Sequence, residues 1–196
     1  MWRTPLVERV WQYVKTHIPD VPGHGWRHTL RVLGLALRIA QNYPQVNYEV
    51  LALAVLLHDI ARGEESRGHA KRSAEIAERL LRELGCPEDR IQRVVEAIRT
   101  HSFSAGETPR SLEARILSDA DKLDAIGAVG VARCFTEGGL RRRDLPASIY
   151  HFYEKLLRLR SVLYTPEARQ LAERRHRFLE MFLQEFYKDL RESTLQ

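Results

Sequence analysis

Cysteine is scarce in this chain: Cys86 and Cys134 stand far apart and neither belongs to a CxxC pair. A disulfide framework is excluded, and a reducing cytoplasm is the expected location. Lysine is almost as rare, at positions 15, 71, 122, 155 and 188 only, so the net charge of +5 and the pI near 9.4 come from arginine. No apolar stretch approaches the roughly 20 residues that span a bilayer. The opening MWRTPLVERVWQYVKTHIPD also lacks the uninterrupted apolar core of a secretion signal, so no membrane partner is expected. Strand signals are weak throughout, and neither an internal repeat nor a low-complexity linker is evident.

What is present reads as helix. At 196 residues, 44% hydrophobic and 29% charged, the chain is long enough for one substantial core. Apolar residues recur at three- and four-residue spacings over 24–41 (Leu30, Leu33, Leu37, Ile39), 70–84 (Ala74, Ala77, Leu80, Leu81, Leu84) and 88–101 (Ile91, Val94, Val95, Ile98). Breaks fall at Pro19 to Gly25, Pro44, Gly63 to Gly68, Gly85 with Pro87, Gly106 to Pro109, Gly138 to Pro146, and Pro166. Thr165 followed by Pro166 has the form of an N-cap and a proline at N1, opening a long final helix that carries Phe178, Met181, Phe182 and Phe186. The expectation is an all-α, single-domain helical bundle over 1–196, with a motif core at about 20–130 and C-terminal helices at about 145–192. A basic surface attracts anionic substrates. Nucleic acid would need those charges gathered on one face, which a sequence does not display, and it is not an expected partner. The run Arg141 to Arg143 lies in a Gly/Pro-bounded loop and reads as a solvated turn.

Chemistry concentrates in three segments: GHGWRHTLRV (23–32), LALAVLLHDI (51–60) and SDADKLDAIGA (118–128). His28 shares a helical face with Val32 and Leu35, His58 with Leu51 and Val55, and Asp121 with Leu117, so each is expected to point inward. A single inward imidazole is ordinarily a core histidine with a hydrogen bond. Inward aspartates are different, because a carboxylate is almost never buried without a partner. Two imidazoles with two carboxylates suit a divalent metal holding a water that attacks phosphorus.

The order His28, then His58-Asp59, then the ADKLDA segment resembles the HD superfamily of metal-dependent phosphohydrolases. GHGWRHTLRV, HSFS (101–104), DADKLDAIGA with GVARCF, and HFYEKLLRL (151–159) are similar to a bacterial subgroup related to nucleotide pyrophosphatases; the likeness covers roughly 20–190. The resemblance implies that His28, His58, Asp59 and Asp121 bind the metal. Asp119 is the alternative to Asp121: residues two apart on a helix point in nearly opposite directions, so both should not reach one ion. Nitrogen and oxygen ligands of this kind suit Mn, Fe, Ni, Co or Zn better than Mg.

Lys122 resembles the family lysine that contacts substrate phosphate. Arg62 stands where several members carry a titratable catalytic residue; it is not an acid or base near neutrality and is expected to bind phosphate bidentately. Proton transfer then falls to His69 or His101, which in related proteins either protonate the leaving group or bind a second metal. His24, one turn before His28, is a candidate for orienting it or for contacting substrate. His151 and Lys155 are candidates for substrate contact, although Tyr150, Phe152 and Tyr153 around them read equally well as core. The implied substrate is a small phosphorylated metabolite, with a nucleoside triphosphate split into monophosphate and pyrophosphate first. A nucleotidase or cyclic phosphodiesterase reaction comes next. Two other readings stay open: a di-iron HD-fold oxygenase, if His69 and His101 bind a second metal, and a domain that binds nucleotide without turnover. A homo-oligomer is also left open.

Overall fold

The computed structural model describes residues 2–19, 21–63, 68–102 and 106–193. Every regular element among them is helical: α1 (Pro5–His17), α2 (Trp26–Ala40), α3 (Tyr48–Leu57), α4 (His69–Glu83), α5 (Glu88–Thr100), α6 (Leu112–Asp124), α7 (Gly127–Leu140), α8 (Leu145–Glu154) and α9 (Pro166–Ser193), with a 3₁₀ segment at Leu156–Val162. The chain forms two compact units, Met1–Lys122 and Leu123–Gln196. Parts of the expected loop at 63–68 and of the HSFS segment, Glu64 to Arg67 and Phe103 to Ala105, lie outside the described residues, as does Asp20.

In the first unit α3 is the axis. Asn47 caps it by accepting from the backbone N–H groups of Glu49 and Val50, each at 3.1 Å. Val50 to Leu57 are all buried, so the helix has no polar face, and α1, α2, α4 and α5 pack around it. Complete burial contributes roughly 1.5–3 kcal/mol for each such Leu or Val, and a helix held this firmly fixes the position of the two residues at its end, His58 and Asp59. The α4–α5 hairpin turns through Gly85 at φ 76°: Gly85 N–H donates to Arg82 O (3.1 Å) and Cys86 N–H to Leu81 O (2.9 Å). That pairing satisfies the last carbonyls of α4, and Pro87 then bars its continuation.

In the second unit Phe135 of α7, Phe152 of α8 and Phe182 of α9 meet at centroid separations of 5.5–6.0 Å, with Phe152 and Phe182 stacked and Phe135 turned against both. Thr165 caps α9 as expected, accepting from Ala168 N–H at 3.3 Å. The expected break at Gly138 is corrected: α7 runs through it to Leu140. Gly138 serves packing instead, because a Cβ there would lie 2.5 Å from Ser148 Oγ on α8.

Two glycine substitutions should act in opposite directions in thermal denaturation. A Cβ at Gly130 would fall far inside van der Waals contact of Ala125 O, so Gly130→Ala should destabilise by about 2 kcal/mol or more. Gly34, inside α2 with open space around it, should gain about 0.5–1 kcal/mol as alanine. An unchanged melting temperature for Gly130→Ala would contradict this packing.

Candidate metal centre

His58 and His101 occupy equivalent places in different helices. Each is the residue that ends its helix, α3 or α5, and each folds its ring back on the carbonyl three residues earlier: His58 Nδ1 to Val55 O at 2.7 Å, His101 Nδ1 to Ile98 O at 2.6 Å. A carbonyl only accepts, so both Nδ1 atoms carry hydrogen, and in the neutral ring Nε2 is left as a lone pair. Burial lowers both imidazoles below their ordinary range. His101 falls to about 3, with the neighbouring His58 adding to the effect, so both rings are neutral near pH 7.

Into the same space come His28 from α2 and Asp59 from the turn after α3. His28 Nε2 lies 3.2 Å from His58 Nε2, 3.5 Å from Asp59 Oδ2 and 3.5 Å from Asp121 Oδ1. His69, the first residue of α4 behind Gly68 at φ 70°, brings Nε2 within 3.3 Å of Asp59 Oδ1 and 3.4 Å of His101 Nε2. His24 Nδ1 reaches Asp59 Oδ2 at 3.2 Å, and its ring meets His28 edge-on at 5.2 Å. Asp59 Oδ1 is buried without a hydrogen-bond partner among the described residues. Three sets each bring ligand atoms within 4.8 Å of one another: His24, His28 and Asp59; His28, His58 and Asp121; His58, Asp59 and His101.

The electrostatics favour ionised aspartates. Burial pushes the Asp59 carboxyl up, but His58, the bonds from His24 and His28, and Arg62 hold it well below the usual range. Asp121 is likewise lowered against its burial, by His28, His101 and His58. The result is a set of carboxylate oxygens and imidazole nitrogens only 3.2–3.9 Å apart, buried except at Asp121, with too few hydrogens to separate them. One hydrogen on His28 Nε2 answers only one of its three neighbours. A divalent cation fits this donor set, because each of those atoms is an acceptor it can bind.

Several expected residues take places of their own. Asp121 is partly exposed, at 23% of its side chain, whereas Asp119 is fully buried and belongs to none of the three sets. Arg62 turns its guanidinium to the site's own groups, 3.6 Å from Asp59 Oδ1 and 3.3 Å from His69 Nε2. Lys122 is buried, and its ammonium donates to Ser118 O at 3.3 Å and to Ser118 Oγ. His151 in α8 and Lys155 after it belong to the second unit.

Two serines escaped the sequence reading. Ser118 Oγ donates to His101 O at 3.0 Å while receiving Lys122, so it ties that lysine to the end of α5. Ser73 Oγ accepts from Ala61 N–H at 3.1 Å and anchors the turn after Asp59 to α4. Their one signal was a small polar residue within an apolar stripe, which helices carry often for no such purpose.

The HD-domain family model matches residues 25–126. YpgQ of Bacillus subtilis (strain 168) is 32% identical over 192 residues, covering 93% of each chain. Its crystal structure in complex with ADP superposes with a TM-score of 0.78 at 30% identity, over 93% of this chain and 97% of that one. A Lactobacillus plantarum protein gives a TM-score of 0.85 at 27% identity, over 98% and 100% of the two chains. An HD-superfamily hydrolase of Bacillus thuringiensis gives 0.71 at 33%, over 94% and 96%. With the histidine-aspartate doublet at the buried end of α3 and a family match from residue 25 to 126, this chain belongs to the HD-domain family.

Proposed function

We propose that the protein is a metal-dependent phosphohydrolase acting on a nucleotide, with cleavage of a nucleoside triphosphate to monophosphate and pyrophosphate as the first choice. The observation that carries this reading is the convergence of buried acceptors on Asp59, whose Oδ1 has no hydrogen-bond partner among the described residues. The ADP complex of YpgQ supports a nucleotide ligand. His28, His58, Asp59 and Asp121 are assigned to the metal, which is Mn, Fe, Ni, Co or Zn rather than Mg on the strength of its nitrogen ligands. A divalent cation supplies an activated water at neutral pH and positive charge for the developing anion.

The chain's own groups do the rest. His24 holds Asp59 Oδ2 at 3.2 Å and fixes its direction, a positioning role that the geometry supports over substrate contact. Arg62 balances Asp59 at 3.6 Å and presents its remaining donors to phosphate. Lys122, held by Ser118, brings a second positive charge to the substrate anion. His101 approaches with a bare Nε2 and suits ligation, which leaves His69 to hand a proton to the departing oxygen.

A second reading rests on one observation: His69 Nε2 and His101 Nε2 both face Asp59 Oδ1, at 3.3 and 3.9 Å, and would suit a second cation. Two irons per chain with oxygen consumption would favour an oxygenase over a hydrolase.

Metal analysis of the native protein, together with a screen of nucleotides against Mn, Co, Ni, Mg and Zn, tests the assignment. Release of phosphate or pyrophosphate is expected with at least one metal, and binding without release under all of them would overturn it. Asp59→Ala should lose bound metal and turnover together; retention of both would remove Asp59 from the ligands. Lys122→Ala should cut kcat/KM about 100-fold or more with metal content intact, since one preorganised charge contributes about 3 kcal/mol to such a transition state. Loss of metal in that variant would mean that Lys122 supports the site's structure instead.

A further inference from the structure

The turn that follows α3 carries two charged side chains of the site, Asp59 and Arg62. Most of its backbone donors stay within the turn: Ile60 N–H donates to Leu57 O at 3.2 Å, Arg62 N–H to Asp59 O at 2.9 Å and Gly63 N–H to Ala61 O at 3.1 Å. Ala61 N–H leaves it, crossing to α4 to donate to Ser73 Oγ at 3.1 Å. Ser73 is fully buried on a face of small residues, with Ala70, Ala74 and Ala77. His69, four residues earlier, shares that face of the helix.

Packing ties α4 to α5 far more extensively than to α3. Apolar burial, which has no direction, therefore fixes α4 on α5 but leaves its approach to the turn after α3 to polar contacts. At that approach His69 Nε2 stands 3.3 Å from Asp59 Oδ1 and 3.3 Å from Arg62 Nη1. A slide of about 1 Å would carry it beyond hydrogen-bond reach of both. We propose that Ser73 is a positioning residue of the metal centre: by accepting Ala61 N–H, its Oγ sets the distance at which His69 faces Asp59 and Arg62.

The consequence for turnover rests on the hydrolase reading, in which His69 hands a proton to the departing oxygen; the placement of His69 does not. Ser73 touches neither substrate nor metal in this role and acts through His69 alone. Its loss therefore slows the chemical step and spares binding, because misplacing a reacting group weakens the transition state more than the ground state. Alanine favours helix more than serine does, so Ser73→Ala removes the acceptor while leaving α4 intact.

The test combines amide exchange with a double-mutant cycle on the full-length protein. The Ala61 amide should exchange slowly in the wild type and lose that protection in Ser73→Ala; fast exchange in the wild type would overturn the proposal at its first step. Ser73→Ala should lower kcat about tenfold, with KM and metal content changed less than about twofold. In a His69→Gln background the same substitution should cost less than about twofold, and a full further loss there would show that Ser73 does not act through His69. Ala77→Gly, one turn further along the same face, loosens α4 without touching the turn and should leave kcat within about twofold; an equal fall would reduce Ser73 to general support of the helix. Ser73→Cys, a weaker acceptor, replaces Ser73→Ala if that variant does not fold, with a smaller fall in kcat expected and an unchanged kcat counting against the proposal. A wild type without turnover would sink the hydrolase reading by itself. The ring resonances of His69, assigned by their loss in His69→Gln, then decide: they should move in Ser73→Ala, and an unmoved ring would overturn the positioning role.

Discussion

An ionised carboxylate in the middle of an apolar core is the constraint around which the first unit is arranged. Asp59 is 1% exposed, and a buried charge costs several kcal/mol unless neighbours compensate it. Compensation comes from four directions: His24 just before α2 and His28 in its first turn, His58 beside it, Arg62 one turn on, and His69 from α4. None of these contacts survives if α3 shifts by a fraction of a turn. The unbroken burial of Val50 to Leu57 therefore sets the precision with which the carboxylate meets its partners.

The ends of α3 and α5 show how fold and chemistry share atoms. Helix C-termini leave carbonyls without intrahelical donors, commonly satisfied by water or a glycine turn. Here His58 and His101 donate to those carbonyls with Nδ1, each bond worth about 1 kcal/mol, and the same bond fixes which nitrogen faces the cluster. Ser118 extends the arrangement by linking the His101 carbonyl to Lys122. Residues that stabilise the helix ends are thus the residues that present lone pairs.

The two units differ in what they bury. The first gathers carboxylates and imidazoles around Asp59, whereas the second is built on the aromatic contacts of Phe135, Phe152 and Phe182. An arginine-rich chain suits a helical core of either kind, because a guanidinium can be partly buried while staying charged.

The sequence by itself determined the helical class, the helices at Trp26–Ala40, His69–Glu83 and Glu88–Thr100 to within two residues, and the cap at Thr165. Periodicity and capping are local, so they are written in consecutive residues. Polar residues on apolar faces also singled out His28, His58 and Asp121 as needing partners, and the resemblance to the HD superfamily joined Asp59 to them. Tertiary structure alone decided the rest. It brought His24 to Asp59 across 35 positions and His69 to His101 across 32, gave Ser73 and Ser118 their anchoring bonds, and kept α7 helical through Gly138. These depend on distances between elements, which one-dimensional spacing does not encode. Only packing against a neighbouring helix shows that a glycine is there for close approach, or that a buried oxygen still lacks its counter-charge.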